Sequence, residues 1–224
     1  MRNRIYLTAI ALLIYVASNA QESETRNVGK FNEVHVSEAI DVFIEKGGTE
    51  QVRVEVDGVD LDRVGTGVTD GRLKVEMLGN NRGGRVKVYI TYVEIRELRA
   101  SSAASIFSKL ISADKLELSA SSAGLIDITV QAKELEVSVS SSGEVELKGK
   151  SDFLHVNASS AGEVDAFDME INRVSAHASS AGSIKINVLN EIEAKASSGG
   201  SIKYKGNPSR SNTNSSSGGS VRKY

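Results

Sequence analysis

The 224-residue sequence contains no cysteine and no tryptophan, one proline and twenty glycines, and its formal net charge is only −2. Without cysteine the chain forms neither a disulfide nor a thiolate metal site, so its fold depends on apolar burial and backbone hydrogen bonds. A nucleic-acid-binding domain typically shows a basic excess, and this composition argues against that class of protein.

The first twenty residues have the organisation of an export signal. Arg2 and Arg4 precede an apolar stretch from Ile5 to Ala17, and Ser18-Asn19-Ala20 forms a small-x-small cleavage pattern. The apolar stretch is shorter than the roughly 20 residues that cross a bilayer as a helix. We therefore predict a signal peptide at residues 1–20 and a mature chain without a transmembrane segment. Removing Arg2 and Arg4 from the 27 basic residues leaves 25 against 29 acidic ones, a net charge of −4.

Residues 28–95 alternate apolar and polar side chains, a pattern of period two that indicates β-strands with one buried face. Glycine pairs and Asp-Gly pairs end these runs and predict turns. We interpret the region as the less regular first coils of the repeat that follows, and a separate antiparallel β domain is the alternative. The alternating runs are Val34–Val36, Ile40–Ile44, Val52–Val56, Leu73–Met77 and Val86–Ile90.

Residues 96–224 repeat one unit built on a serine pair at intervals of 18 to 20 residues. A period near 19 is typical of a solenoid, and two short alternating strands per unit, separated at SSAG, describe one coil of a parallel β-helix. We predict an all-β, single-domain, right-handed parallel β-solenoid over residues 21–224. The copies are RASSAASI from Arg99, SASSAGLI from Ser119, SVSSSGEV from Ser138, NASSAGEV from Asn157, HASSAGSI from His177, KASSGGSI from Lys195 and NSSSGGSV from Asn214.

The SSAG segment predicts the corner of each coil. A glycine there can adopt a positive φ, and small Ser and Ala side chains stack in successive coils without crowding. Serines in a column about 4.8 Å apart are expected to hydrogen-bond along it, so their role is structural.

The residues favour no catalytic, cofactor or metal site. A serine hydrolase needs a histidine and a carboxylate at one serine, whereas this chain has fourteen near-equivalent serines in its seven pairs. Its histidines are His35, His155 and His177. The repeat places the last two in neighbouring coils, roughly 8 Å apart, which is too far for a shared metal ion.

Charged residues form outward columns. Glu97, Glu117 and Glu136 align in the strand before the corner. In the strand after it Asp127, Glu146 and Asp165 are followed by Lys185, Lys203 and Arg222, while Glu144 and Glu163 flank the acidic part. Stacked like charges repel, so each column implies solvent, counterions or a partner. A solvated face is the simpler interpretation; the alternative is a partner-contact face with weak calcium affinity, formed by Asp127, Glu144, Glu146, Glu163 and Asp165.

The whole mature chain resembles the head GIN domain family, exported auto-transporter adhesins of Gram-negative bacteria. The segments that resemble it are VHVSEAIDVFIEKG, GVTDGRLKVEM, the repeated SSAG units, and IKYKGNP followed by SSSGGSV. The resemblance implies an exported β-helical protein, in the periplasm or at the cell surface, and transfers no catalytic or binding residue.

Three functional hypotheses follow. The first is a binding or adhesion module without catalytic activity, whose partner is a protein or a glycan. The second is a carbohydrate-active enzyme, a lyase or hydrolase that uses Glu144, Glu146, Glu163 and Asp165, although the scarcity of aromatic residues counts against it. The third is a structural homo-oligomer assembled end to end, suggested by the change from acidic to basic along one face.

Overall fold

A computed structural model describes residues 22–79 and 83–224 of the chain, so the predicted signal peptide lies outside the described residues. Within that part of the chain sixteen β-strands form one continuous sheet with an apolar interior. The 3-10 helix Leu61–Arg63 connects the fourth strand to the fifth. Across the same residues no helix has the length and apolar character to span a membrane. The strands are β1 Glu22–Arg26, β2 Glu33–Val36, β3 Asp41–Lys46, β4 Gln51–Asp57, β5 Val64–Thr69, β6 Arg72–Met77, β7 Arg85–Tyr92, β8 Glu97–Ala100, β9 Ser105–Ala120, β10 Leu125–Val139, β11 Glu144–Ala158, β12 Glu163–Ala178, β13 Ser183–Ala196, β14 Ser201–Lys205, β15 Arg210–Ser215 and β16 Ser220–Lys223.

The predicted β-solenoid is confirmed, with coils of about 19 residues. Strands β9 to β13 each trace most of one coil and pair in parallel with the strands of the coils before and after. Ile126 of β10, for example, lies beside Ile106 of β9 and Val145 of β11. The period-two pattern therefore places every second side chain in the interior, and identical positions stack from coil to coil.

The N-terminal strands join the same sheet but do not follow one another as successive coils. Strands β2 and β3 pair in parallel with β8 and β9 on one side and with β6 and β7 on the other. Strand β4 pairs antiparallel with β7, and β1 pairs antiparallel with the other edge of β4. Strand β5 pairs antiparallel with β6. The two-residue turn Asp70-Gly71, with φ of 52° and 78°, closes the β5–β6 hairpin. The two strands joined by this turn pair with each other, whereas the strands on either side of an SSAG corner pair with those of the neighbouring coils.

In the last coil, polar residues occupy positions that are apolar and buried in the preceding coil. Ser211, Thr213 and Ser215 of β15 lie beside the buried Ile192, Ala194 and Ala196 of β13. These polar side chains are exposed because no further coil among the described residues covers them. A terminal coil with a polar outer face is the usual cap of a solenoid.

The corners correct the predicted role of glycine. In the turn Ser179-Ser180-Ala181-Gly182 the positive φ angles belong to Ser180 (48°) and Ala181 (62°), and the Gly182 amide donates to the Ser179 carbonyl at 2.8 Å. This is a type I′ geometry with two non-glycine residues in the left-handed region. Gly182 is required instead by space, because a Cβ there would lie 2.4 Å from the carbonyl oxygen of Ala158 in the preceding coil.

The corners are held together by backbone groups, not by the predicted serine hydroxyls. The Ala181 amide donates to the Ser198 carbonyl of the next coil at 3.2 Å, and the corresponding bond joins Ala161 to Ser180 at 3.1 Å. The second serine of each pair is exposed. The backbone amides and carbonyls form these hydrogen bonds from coil to coil because the left-handed turn directs them along the solenoid axis.

Tyr92, at the end of β7, is fully buried, and its hydroxyl has no hydrogen-bond partner among the described residues. Burial also raises the pKa of this hydroxyl. We expect Tyr92→Phe to raise the free energy of unfolding by about 1 kcal/mol, because an unpaired buried polar group is costly. Urea denaturation measures the change, with Tyr89→Phe, at a partly buried position, as a control of nearly unchanged stability. A less stable Tyr92→Phe protein would contradict the unpaired hydroxyl.

Candidate functional site

One outward column of side chains runs from end to end of the solenoid, and we call it the post-turn column. Its members come from ten adjacent strands, and parallel or antiparallel register places each beside the next. The first part is aromatic, the middle acidic and the last basic. In spatial order the column is Arg53, Tyr89, Phe43, Phe107, Asp127, Glu146, Asp165, Lys185, Lys203 and Arg222.

The structure brings the predicted acidic residues together. Asp127, Glu146 and Asp165 are consecutive in the post-turn column, and Glu144 lies beside Glu163 two positions earlier in the same strands. Their contact with a partner stays a prediction.

Lysines of the chain itself compensate much of this acidic charge, so part of the counter-charge that the sequence led us to expect comes from within the protein. The Lys185 ammonium lies 2.8 Å from Glu163 Oε1 and 3.1 Å from Asp165 Oδ2, and Lys148 lies 3.8 Å from Asp127 Oδ1. Parallel register explains the arrangement, because Lys185 occupies the post-turn column one coil beyond Asp165. The column of Glu97, Glu117 and Glu136 is compensated in a similar way, since the Lys115 ammonium lies 3.0 Å from Glu117 and 3.7 Å from Glu136.

Glu144 is the residue of the acidic group whose pKa is raised. Desolvation raises its pKa, and the neighbouring Glu146 and Glu163 raise it further. An acid whose pKa is higher in the folded state is destabilising when ionised, and this cost disappears as the pH falls and the group is protonated. Because Glu144 is exposed and solvent screens its charge, we expect Glu144→Gln to stabilise the protein by only a few tenths of a kcal/mol at pH 7 and to have no effect below the pKa of a free glutamate. Thermal melts at several pH values test this, and a benefit that is the same at every pH would contradict it.

Weak calcium binding by the acidic residues stays a prediction. Because Lys148 and Lys185 already contact three of the five carboxylates, calcium affinity is expected to be low and to decrease with added salt. Calorimetric titration with calcium is the measurement. We expect the Glu146→Ser, Asp165→Ser double variant to lose the signal while it keeps its fold, and equal titrations of both proteins would contradict this assignment.

The aromatic part of the post-turn column was not predicted from the sequence. The Phe43 ring stacks between Tyr89 and Phe107, with both centroid distances 5.3 Å and interplanar angles of 21° and 23°. The Arg53 guanidinium lies 4.0 Å from the Tyr89 ring centroid and covers its other face. We call these three rings the aromatic ladder. Offset stacks of this kind and a cation over a ring face are both stabilising.

The ladder lines a groove of about 710 Å³ on the outer surface. Hydroxyl and charged groups complete its lining, among them Thr91, Thr129, Lys109 and Asp127. The side chain of Leu110, which is 52% exposed, adds apolar surface at the edge. A groove of this volume is in the usual range for small-ligand sites, which combine apolar walls with a few polar groups. Of the predicted acidic residues, Asp127 alone is among those that line it.

The histidines follow the predictions in part. His155 and His177 lie on neighbouring coils beside Ser175 and Asn157 respectively, as the repeat predicted, and the Asn157 amide lies 3.0 Å from His155 Nε2. His35 differs, because its Nε2 lies 3.1 Å from Glu97 Oε1 and the ring is 18% exposed. Burial lowers the pKa of His35, and the neighbouring Arg99 and Arg72 lower it further, against the opposing effect of Glu97.

A signal for part of the ladder was present in the sequence. Phe43 and Phe107 occupy the same position after the corners SEA and SSAA, so aligning the SEA corner with the repeat would have paired them. Tyr89 has no such signal, because β7 reaches its place beside β3 after three strands of non-repetitive sequence.

The family model of the head GIN domain, described as a putative auto-transporter adhesin, matches residues 30–208 of the chain. The chain belongs to the head GIN domain family. This confirms the resemblance of the SSAG corners and the flanking segments to that family. Membership supports an adhesion-type module that is exported or displayed at a surface.

Solved structures of similar proteins have the same fold. A putative adhesin from Bacteroides fragilis superposes with a TM-score of 0.82 at 19% identity, over 92% of this chain and 98% of that one. A putative adhesin from Parabacteroides merdae gives 0.74 at 21% identity, over 91% and 96%. A protein from Parabacteroides distasonis described as a putative lipid binding protein gives 0.70 at 21% identity, also over 91% and 96%. A comparison with curated protein sequences finds no match.

Proposed function

We propose that the protein is an exported adhesion-type module without catalytic activity that binds a glycan in the groove beside the aromatic ladder. The observation that supports this most directly is the ladder itself. Phe43, Tyr89 and Phe107 are three of the eleven Phe and Tyr residues of the chain, and they meet on one outward surface that is otherwise charged.

The chemistry of the lining favours a sugar over an acyl chain. Sugar rings present C–H groups to aromatic side chains and hydroxyls to polar ones, and the groove offers both kinds of partner in Phe107, Thr91 and Thr129. A hydrocarbon chain would cover Thr91, Thr129 and Asp127 without pairing them, and unpaired buried polar groups are costly. One structural neighbour is described as a lipid binding protein, so lipid vesicles belong in the test.

The carbohydrate-active enzyme remains the second candidate, on one observation. Glu45 and Asp127 both line the groove, and most glycosidases use two carboxyl groups. The acids assigned to an enzyme from the sequence, Glu144, Glu146, Glu163 and Asp165, are not among the residues that line it. Asp127 also lies 3.8 Å from the Lys148 ammonium, so within the groove it is part of an ion pair.

The experiment combines binding and hydrolysis on one glycan panel. Mature protein, residues 21–224, is applied to a glycan array, to protein-coated matrix surfaces and to phospholipid vesicles. The glycans that bind are then incubated with the protein and assayed for new reducing ends. We expect glycan binding without cleavage. Cleavage would establish the enzyme, and binding to vesicles or matrix proteins alone would overturn the glycan assignment.

We also propose that residues 1–20 direct export, to the periplasm or to the cell surface, as the exported character of the family supports. Protease treatment of intact cells distinguishes the two compartments, because only surface protein is digested. The end-to-end homo-oligomer stays a prediction. Light scattering of the mature chain tests it, and the polar last coil favours a monomer.

A further inference from the structure

A second cluster of side chains lies away from the groove, on the strands that precede the corners. Glu33 and His35 of β2 and Glu97 of β8 each direct a potential ligand atom to one place, and these three atoms lie within 4.8 Å of one another. The register of β2 and β8 explains why these three side chains lie together. Glu33 and Glu97 are direct neighbours across β2 and β8, while His35 follows Glu33 by two residues and so points to the same side of the sheet.

The spacing is close to that of ligands on one metal ion. Two ligands about 2.0–2.1 Å from a tetrahedral zinc ion lie about 3.3 Å apart. His35 Nε2 and Glu97 Oε1 are 3.1 Å apart in this structure. These two atoms share a hydrogen bond in this structure, and an ion that replaced it would require them to separate by only about 0.2 Å. The neutral ring in its Nδ1–H tautomer would then present Nε2 as the ligand.

Two arginines contact the carboxylates, and Arg99 contacts the same Glu97 oxygen that lies beside His35 Nε2. Arg72 Nε donates to Glu33 Oε2 at 2.9 Å, and an Arg99 guanidinium nitrogen lies 3.2 Å from Glu97 Oε1. Partners of this kind orient ligating carboxylates in established metal sites. The arginines also cancel the two negative charges, so the affinity for a cation is expected to be moderate. Side-chain exposures of 27% for Glu33, 18% for His35 and 19% for Glu97 leave the cluster open to ions from solvent.

We propose that Glu33, His35 and Glu97 form a binding site for a divalent transition-metal ion, with zinc as the best match. One imidazole and two carboxylates suit zinc, for which three protein ligands leave a fourth position for water or for a group of a partner. Calcium prefers six to eight oxygen ligands and gains little from an imidazole. This site differs from the predicted calcium-binding acids in both position and ligand type.

The test is calorimetric titration of the metal-free mature protein with zinc chloride, at constant ionic strength. We expect one saturable site in the wild type. His35→Gln and Glu33→Gln should each weaken it about tenfold or more, since each removes or neutralises a direct ligand. His155→Gln and Glu117→Gln are the matched controls, the first a histidine of the same sheet and the second the carboxylate beside Glu97 in the next coil, and both should titrate like the wild type.

Thermal melts with and without zinc separate loss of the site from loss of the fold. Zinc should raise the melting temperature of the wild type and of both controls, and raise that of a folded His35→Gln protein clearly less at the same zinc concentration. Absence of zinc binding by the wild type would overturn the proposal. Equal binding by His35→Gln and the wild type would also overturn it. Glycan binding by the groove does not depend on this site, so His35→Gln is expected to bind glycan normally.

Discussion

Replacing Gly182 with alanine is expected to lower the free energy of unfolding by about 3 kcal/mol. The added Cβ would lie 2.4 Å from the carbonyl oxygen and 2.5 Å from the carbonyl carbon of Ala158, and 2.9 Å from the Ser159 amide nitrogen. All three atoms are backbone atoms of the preceding coil, so they cannot move as the end of a flexible side chain would. The two coils must separate, which weakens the backbone bonds between them. Urea denaturation of the purified mature protein measures the loss.

The neighbouring Ala181→Gly is the matched control, with the opposite sign. Ala181 has a φ of 62° and an exposed side chain, and glycine occupies the equivalent position at Gly199 with a φ of 77°. Relief of the left-handed strain exceeds the extra backbone entropy of glycine, so we expect a stabilisation of about 0.5 kcal/mol. If Gly182→Ala were as stable as the wild type, close approach of the coils would not explain the glycine.

Replacing Phe43 with alanine is expected to reduce the affinity for the groove glycan more than tenfold. Phe43 stacks on both Tyr89 and Phe107, so its loss removes the centre of the ladder and both ring contacts. Each aromatic pair contributes about 0.5–1.5 kcal/mol, so a stability loss of about 2 kcal/mol is expected as well. Surface plasmon resonance, with the highest-scoring glycan of the array immobilised, measures the affinity below the melting temperature of the variant.

Two further variants separate the ring from general damage to the fold. Phe43→Leu keeps most of the apolar volume, so it should fold well and still bind weakly. Phe167→Ala removes an aromatic residue of the same sheet that contacts Tyr224 instead of the ladder, with a centroid distance of 5.6 Å, and should bind normally. Normal glycan binding by Phe43→Leu would place the ligand elsewhere on the molecule.

The repeat was the part of the fold most open to prediction. Because apolar residues recur at every second position and the corner recurs about every 19 residues, stacking is the arrangement that buries every apolar stripe at once. The side-chain columns of the SSAG coils could be predicted for the same reason. Asp127, Glu146 and Asp165 align as the spacing requires.

Details that depend on distances through space were predicted less well. The sequence suggested that glycine supplies the positive φ at the corner, but Ser180 and Ala181 adopt it, and Gly182 is small because the Ala158 carbonyl of another coil is close. A glycine in a corner looks the same in the sequence whether it is needed for a positive φ or for lack of space. Only the packing of successive coils distinguishes the two cases.

The sequence by itself determined the β-solenoid and the charged columns, because both follow from local alternation and a regular period, and its motifs carried the resemblance to the family. The tertiary structure decided how the non-repetitive strands pair, and with them both proposed sites. The ladder joins Tyr89 of β7, Phe43 of β3 and Phe107 of β9, and the metal cluster joins β2 to β8 across 62 residues of chain between His35 and Glu97. Pairing between distant strands is set by the order in which they stack along the axis, and no periodic pattern records that order.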